Sequence, residues 1–278
     1  YDISLFEENH KGYYLRSREF ETVELKLLTD AVASARFISS KKTDLLLKKI
    51  KCLTSRHQAK LLDRSVYYDP LIKSSNEEVF FNIEVILTAI NKNIKVSFLY
   101  NDYNLDMKLK PRRGGERYVI SPYAIVWVND FYYLIGNFDG YDDLSHYRVD
   151  RISNITDVKE HRKPIEKVNE CENGLGIGEY VKKAIYMFPG EEERVELLCK
   201  SFIMNNIIDR FGKDALIIKD NEEYIRVLIS VFIGDGFFHW LLQFGEHCEV
   251  LSPRRIREEM KRRVTILARN YNVIGDEV

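Results

Sequence analysis

The stretch that decides the fold of this chain is YVISPYAIVWVNDFYYLIGNFDGYDDLSHYRVDRISNI, which occupies residues 118–155. Apolar and polar side chains alternate along much of it, the period-two pattern of strands with one buried face. The Asn129-Asp130 pair separates two apolar runs and predicts a tight hairpin turn. Strands are predicted over residues 95–100, 105–110, 117–121, 123–129, 131–137, 145–149 and 152–159. So many short strands behind a helix are typical of a small SH3-like or Sm-like β-barrel.

Upstream of the barrel, the sequence predicts a short hairpin followed by helices. Residues 1–6 and 12–16 are strand-like and flank a polar turn. Apolar residues recur at helical spacing over residues 19–62, and Ser39-Ser40 stands where a cap would start a second helix. Another helix is predicted to open at Ser75-Asn76-Glu77-Glu78, which has the spelling of a capping box.

Downstream of the barrel, a polar linker precedes a second folded segment. The elements after it follow the order β-α-β-β-α-β, which is the ferredoxin-like arrangement. They are predicted at residues 194–200, 203–211, 215–220, 223–232, 235–244 and 248–251. A last helix is predicted over residues 253–271, with Pro253 in its first turn. The predicted fold class is therefore α+β, with a helical linker, a small Sm-like or SH3-like barrel and a ferredoxin-like C-terminal domain.

The overall composition excludes several classes of protein. The chain has 278 residues, of which 45% are hydrophobic, so it is long and apolar enough to build packed cores. Its 42 Lys and Arg residues face 43 Asp and Glu residues, which argues against a polycation that coats nucleic acid. No apolar stretch reaches about 18 residues and no signal peptide is visible, so we expect a cytoplasmic protein without a membrane partner.

The cysteines and histidines give no sign of a metal centre or of a cofactor. The four cysteines are dispersed and never form a C-x-x-C pair, as expected for reduced cytosolic thiols. The six histidines lack metal-ligand spacing, and Ser121 has no base at a motif-defined position. We therefore expect no metal, no cofactor and no catalytic residue.

Two basic clusters interrupt the neutral average. Residues 107–118 carry five basic side chains against one acidic, including Lys110, Arg112, Arg113 and Arg117. Residues 251–272 carry seven against two, including Arg254, Arg255 and Arg257. The stretch between 191 and 250 carries twelve acidic residues against six basic ones, so an anion would meet defined patches rather than a uniform field. The alternative interpretation is that both clusters are ordinary solvated faces.

The barrel segment also concentrates groups that bind phosphates and nucleotides. Residues two apart on a strand face the same side, so His146 and Arg148 are predicted to project together. Arginine offers a planar fork for phosphate, and tyrosine rings can stack on bases. The predicted pocket residues are Ser121, Tyr123, Tyr133, His146, Arg148 and Arg151. The alternative is ordinary strand packing with tyrosine hydroxyls at the surface.

The run over residues 118–155 resembles the core of a WYL domain. The Trp-Tyr-Leu tripeptide of that family reads Tyr132-Tyr133-Leu134 here, and Pro122-Tyr123 and His146-x-Arg148-x-x-Arg151-Ile152 match as well. Phe244-Gly245 and Val250-Leu251-Ser252-Pro253 resemble the extension that commonly follows WYL domains. The resemblance implies five segments: a remnant of a winged-helix wing at 1–19, a helical linker at 20–74, the WYL domain at 75–160, a linker at 161–190 and the C-terminal extension at 191–278.

The resemblance also implies a function. WYL proteins are typically bacterial transcriptional regulators whose barrel senses a ligand, in some members single-stranded DNA or a nucleotide, and we expect a homodimer of this type rather than an enzyme. Since the chain opens inside what resembles the wing, duplex DNA is expected to be bound only through a missing N-terminal winged helix-turn-helix. The alternative is an accessory or defence-system protein that binds RNA or protein through the barrel. A third, weaker reading is an enzyme acting on a small phosphorylated substrate.

Overall fold

The computed structural model describes residues 3–5, 13–15, 19–63, 68–171 and 176–273. The chain divides into two compact units, which are described separately. The first comprises residues 1–140 and 147–162, and the second comprises residues 141–146 and 163–278. The molecule is a mixed α/β structure with helices and antiparallel sheets.

The first unit begins with a hairpin and four helices. Strands β1 (Ile3–Leu5) and β2 (Tyr13–Leu15) pair antiparallel, as predicted, and the turn between them lies outside the described residues. The helices are α1 (Thr22–Ser34), α2 (Ser40–Lys51), α3 (Arg56–Asp63) and α4 (Val79–Lys92). The Ser39 side chain accepts a hydrogen bond from the backbone N–H of Lys42, which confirms the predicted cap of α2.

The capping box predicted for α4 is wrong. The helix begins at Val79, and its N-cap residue, Glu78, makes no capping hydrogen bond through its side chain. The Oδ1 atom of Asn76 instead accepts a hydrogen bond from the backbone N–H of Glu78 at 2.8 Å. An asparagine turn therefore leads into the helix, because the short amide side chain satisfies a backbone donor two residues on.

Six strands form the sheet of the first unit, in the order β4-β3-β5-β6-β7, with β8 pairing to β3. They are β3 (Ile94–Tyr103), β4 (Leu109–Pro111), β5 (Tyr118–Val128), β6 (Phe131–Phe138), β7 (Leu144–Arg148) and β8 (Ile152–His161). The first strand of this sheet in chain order, β3, and the last, β8, are therefore neighbours. Buried side chains of α4 and of the strands form one core, among them Ile86, Phe98, Ile120, Leu134 and Ile152.

Two strand predictions in this sheet need correction. The strands expected at 117–121 and 123–129 are one strand, β5, with a register shift between Pro122 and Ala124. Proline lacks an N–H, so the ladder bulges there without ending the strand. The strand expected at 105–110 is only β4, because Met107 has a φ of 58° and the preceding residues form a turn.

The second unit contains one four-stranded antiparallel sheet in the order β10-β11-β9-β12. Its elements are α5 (Ile177–Lys183), β9 (Glu191–Lys200), α6 (Met204–Phe211), β10 (Leu216–Lys219), β11 (Tyr224–Ile233), α7 (Asp235–Leu242), β12 (Cys248–Ser252) and α8 (Arg254–Asn270). The predicted order β-α-β-β-α-β is confirmed from β9 onward. The stretch expected to be a linker contains α5, whose Tyr180 is only 1% exposed and contacts the ring of Phe232.

Within the described ranges, no helix is long and apolar enough to cross a membrane.

Candidate anion-binding site

The candidate site surrounds a single 3₁₀ turn, Val149–Arg151, which connects β7 to β8 in the first unit. Two asparagines hold this turn by its backbone. Nδ2 of Asn82, which is fully buried on α4, donates to the carbonyl of Ile152 at 2.8 Å. Nδ2 of Asn76 donates to the same carbonyl and to one within the turn, at 2.8 and 2.9 Å. These bonds fix the backbone from which the charged side chains of the site project.

Arg148 and Asp150 form the most buried ion pair of the site. Nε of Arg148 donates to Oδ1 of Asp150 at 3.1 Å, and Nη2 donates to Oδ2 at 2.7 Å. The guanidinium also lies 3.4 Å from the ring centre of Phe131. Burial lowers the pKa of Arg148, but the hydrogen bonds and the charge of Asp150 outweigh it and the net shift is upward. The guanidinium is thus held over an aromatic ring, with one edge on a carboxylate.

A second carboxylate, Asp102 on β3, lies between two further arginines. Nε of Arg112 is 3.1 Å from one of its oxygens, and Nη1 of Arg151 is 3.2 Å from the other. The guanidinium of Arg112 also lies 5.9 Å from the ring centre of Tyr100. Nε of Arg151 is buried and has no hydrogen-bond partner among the described residues. The two arginines therefore share one carboxylate and retain donors for another acceptor.

Two tyrosines complete the site as neutral hydroxyls. Burial raises the pKa of Tyr100 and of Tyr133 above the ordinary value, and Asp150 adds to the effect in each. The hydroxyl of Tyr100 accepts a hydrogen bond from the backbone N–H of Arg148 at 3.1 Å. Both hydroxyls remain protonated at neutral pH and can donate to an anion.

The arrangement places three guanidiniums against two carboxylates, with aromatic rings beside them. The net charge of this group is positive, and each guanidinium has more donors than the carboxylates can accept. A phosphate or carboxylate ligand could therefore bind the arginines, while the rings offer faces for stacking.

Ser121 and Tyr123, both predicted pocket residues, are buried in β5. Ser121 is fully inaccessible and is paired in register with Asn137 on β6. The ring of Tyr123 lies 5.4 Å from the guanidinium of Arg162, which also donates to the carbonyl of Pro122 at 2.8 Å. Both residues therefore lie in the strand packing around the β5 bulge, and their place in the pocket stays a prediction.

His146 and Arg148 are both on β7, but the division into units falls within this strand: residues 144–146 count with the second unit and Arg148 with the first. Nδ1 of His146 is 2.8 Å from the carbonyl oxygen of Met187, so this nitrogen donates and carries the proton. Burial lowers the pKa of His146 to about 4, and Nε2 is buried without a partner among the described residues. Tyr186 and Met187 have φ values of 52° and 59°, so the histidine fastens a strained turn. We therefore interpret His146 as a neutral imidazole with a structural role.

The remaining residues of the first basic cluster differ in how they are engaged. Lys110 is exposed on β4. Arg113 pairs with Glu116 at 3.1 Å. Arg117 donates from Nε to Oγ of Ser97 and from Nη2 to two backbone carbonyls at 2.8 and 2.7 Å. Of the cluster predicted from sequence, Arg112 is the member that joins the group around Asp102.

The second basic cluster is largely neutralised by its own unit. Arg255 pairs with Glu193 on β9, and Arg257 pairs with Glu249 on β12. Arg254 is exposed at the start of α8. The charge sum over residues 251–272 leaves these glutamates out, because they lie on β9 and β12, outside that range.

The sequence did not predict the two carboxylates of the site, Asp102 and Asp150, or two of its aromatic rings, Tyr100 and Phe131. Asp150 lies inside the motif that carries Arg148 and Arg151, so its position could have been noticed. Asp102 and Tyr100 lie in β3, about fifty residues away from the motif, and only their position in a strand next to β8 connects them to it.

Comparison with known proteins identifies the family. The model of the WYL domain matches residues 82–157, and that of the WCX domain matches residues 191–268. Together these ranges cover more than half of the chain. The first contains the whole group of arginines, and the second contains the four-stranded sheet. This chain belongs to the WYL-domain family, and it carries a WCX domain after the WYL domain.

Individual relatives are more distant. The chain is 23% identical over 188 residues to the uncharacterized HTH-type transcriptional regulator YobV of Bacillus subtilis, an alignment that covers 68% of this chain. The match spans about half of that relative, 55% of its length. Proteasome accessory factor B/C (PafBC) of Arthrobacter aurescens is similar at 13% identity and a TM-score of 0.28, covering 69% of this chain and 27% of that one. A CRISPR Cas-related protein is similar at 15% identity and a TM-score of 0.41, covering 90% and 81%.

Proposed function

We propose that this chain is the effector-sensing part of a bacterial transcriptional regulator, and that its WYL domain binds the phosphates of a nucleotide or of single-stranded DNA. The observation that carries the proposal is the group of Arg112, Arg148 and Arg151 around Asp102 and Asp150. Family membership supports it, as does the likeness to a relative described as a transcriptional regulator.

The chemistry of the group fits a phosphorylated ligand. Guanidiniums bind phosphate oxygens through paired N–H donors, and such charge-assisted bonds are about twice as strong as neutral ones. Arg148 already lies on the ring of Phe131, so its outer edge is oriented before a ligand arrives. The neutral hydroxyl of Tyr133 supplies a donor without adding repulsion. Bases attached to the phosphates would find aromatic faces nearby.

Binding would act on conformation through competition. A phosphate that takes donors from Arg151 and Arg112 weakens their bonds with Asp102 on β3. A ligand shifts a conformational equilibrium only by its difference in affinity for the two states. The proposed signal is therefore a change in the ion pair between Arg151, in the turn Val149–Arg151, and Asp102 on β3. In the homodimer expected for this family, this change would alter DNA binding.

The finer fold assignments belong to the same proposal. An Sm-like or SH3-like barrel is supported by the six-stranded sheet of the WYL domain, in which the last strand, β8, pairs with the first, β3. A ferredoxin-like C-terminal domain is supported by the order β10-β11-β9-β12 with every pair antiparallel.

The direct test is fluorescence anisotropy of a short labelled single-stranded DNA with the full chain. Arg148→Lys keeps a cation beside Asp150 but loses the planar fork, and we expect it to weaken binding about tenfold. Arg151→Gln should weaken binding and also reduce its dependence on salt, because one phosphate contact is lost. The matched control is Arg36→Gln, whose side chain is exposed and pairs with Asp130 at 3.6 Å.

Equal affinity of the wild type, Arg148→Lys and Arg151→Gln would refute the assignment of the site. The same titration with RNA of identical sequence addresses the alternative function. Binding of RNA alone, lost in the same variants, would favour an accessory protein that recognises RNA, because the two probes differ in the 2′-hydroxyls and in the methyl group of thymine. Light scattering of the full chain tests the homodimer.

A further inference from the structure

The second unit contains a cavity that the proposed function does not use. Its volume is about 840 Å³, within the range of small-molecule sites. The walls come from α5, from the end of α6 with the turn that follows it, and from β11. Four of the lining side chains are basic, Lys182, Lys183, Arg210 and Lys213, and two are acidic, Glu179 and Asp214.

Arg210 is a partly buried cation of this cavity with no carboxylate partner among the described residues. Among the described residues its one hydrogen bond is from Nη2 to the carbonyl of Lys182, at 3.3 Å. Burial lowers the pKa of Arg210, and the nearby Tyr186 only partly opposes this. A guanidinium removed from water without a carboxylate partner keeps much of its desolvation cost. An anion in the cavity would offset that cost.

The neighbouring lysines differ in how far carboxylates neutralise them. Lys183 is already bound by Glu179 at 3.0 Å and by Glu192 at 2.8 Å, and Ser230 also donates to Glu192. Lys182 pairs with Asp214 at 3.1 Å, but both side chains are more than two thirds exposed, so this pair contributes little.

Lys213 is exposed in the turn after α6 and forms no ion pair with the described residues. This turn opens at Gly212, whose φ of 61° is one that side-chain-bearing residues rarely adopt. The cavity therefore offers one half-buried guanidinium and two ammonium groups to a ligand.

We propose that this cavity of the WCX domain binds the phosphate group of a small phosphorylated molecule. The half-buried fork of Arg210 supplies two directed donors, and Lys182 and Lys213 supply mobile charges at the rim. The ring of Phe211, which packs edge-on against Trp240 at 5.1 Å, provides an apolar wall for the rest of the ligand. The site goes beyond the proposed function, because it shares no residue with the arginine group of the WYL domain.

The test is calorimetric titration of the full chain with inorganic pyrophosphate as the probe. The titrations use two parent proteins, the wild type and Arg148→Lys. Comparing them separates binding at the WYL site from binding in the cavity. In both parents we expect saturable binding that Arg210→Gln weakens about tenfold, the worth of a charge-assisted hydrogen bond. Lys213→Gln should weaken it less. The matched control, Lys219→Gln, changes an exposed lysine on β10 that does not line the cavity, and should leave the affinity unchanged.

Two results would overturn the inference. One is the absence of saturable binding in both parents up to about 10 mM pyrophosphate, beyond the range of a useful site. The other is binding that Arg148→Lys abolishes while Arg210→Gln leaves it intact, since the anion then occupies only the WYL site. The second result would sink this inference and leave the proposed function standing, so the two failures are distinguishable.

Discussion

Arg148 and Asp150 are joined by two parallel hydrogen bonds, although they are separated by a single residue at the beginning of a 3₁₀ turn. The carboxylate side chain is 7% exposed and the arginine side chain 22%. The pair is therefore an element of stability as well as part of a candidate site, because a buried carboxylate without its cation keeps the cost of leaving water.

We expect Arg148→Ala and Asp150→Ala each to lower the free energy of unfolding by about 3 kcal/mol, because each leaves a buried charge unpaired. The double variant should lose much less than the sum of the two. Urea unfolding of the four proteins measures this coupling. For comparison, the exposed pair Arg36 and Asp130 should show a coupling of less than about 1 kcal/mol. Additive losses in the first cycle would contradict the buried-pair interpretation.

Asn82 should control both the stability and the ligand affinity of the WYL domain. Asn82→Leu removes one of the two donors to the carbonyl of Ile152, while Asn76 keeps the other, so we expect a loss of about 1 kcal/mol. Because the same hydrogen bond holds the backbone next to the turn Val149–Arg151, we also expect weaker binding of single-stranded DNA in the anisotropy assay. The control is Asn91→Leu, which makes the same change at an exposed position of α4. Unchanged stability in Asn82→Leu would show that the turn is held by other contacts.

His146 should make the second unit sensitive to acid. In the folded chain burial lowers its pKa to about 4, whereas the ordinary value is 6.5. The unfolded chain therefore takes up the proton first, and stability falls as the pH drops from 6.5 towards 4, by about 3 kcal/mol in full. Urea unfolding at pH 7 and near pH 4 measures the loss, and nuclear magnetic resonance of the imidazole measures the pKa.

In His146→Asn, whose amide can still donate to the carbonyl of Met187, this pH-dependent part of the stability should disappear. The control is His57→Asn, which changes an exposed histidine on α3. In this variant the pH-dependent part of the stability should remain. An imidazole of His146 that titrates near 6.5 in the folded protein would contradict the prediction.

Cys199 and Cys248 should form a disulfide on mild oxidation. They are register partners on β9 and β12, and their sulfur atoms are 3.4 Å apart. The hydrogen bond from Cys248 lowers the pKa of Cys199, which favours the thiolate that reacts. Diamide accepts the two hydrogens of the thiols and becomes a hydrazine as the S–S bond forms, so the free thiols should fall from four to two. Peptide mapping identifies the pair, Cys248→Ser should prevent the loss, and Cys171→Ser should not.

Much of the fold followed from local patterns in the sequence. The alternation around the Asn129-Asp130 turn predicted the β5–β6 hairpin, and both turn residues have the positive φ values, 49° and 64°, that such a turn requires. The order of elements after residue 190 was also readable, because each element carries its own periodicity. The capping box at residues 75–78 was wrong because the side chain of Asn76 satisfies a backbone donor there. The division of β5 at Pro122 was wrong because the missing N–H causes a bulge and does not end the strand.

The sequence by itself determined that this is a WYL-domain chain with an α+β fold, since both depend on local patterns and on motifs that adjacent residues form. Only the tertiary structure decided which arginines share a carboxylate. Asp102 meets Arg151 across 49 positions of sequence, because β3 pairs with β8. It also decided that the imidazole of His146 binds the carbonyl of Met187, and that Arg255 and Arg257 on α8 pair with glutamates of β9 and β12. Burial and charge pairing depend on which distant strands become neighbours, and periodicity along one strand does not contain that information.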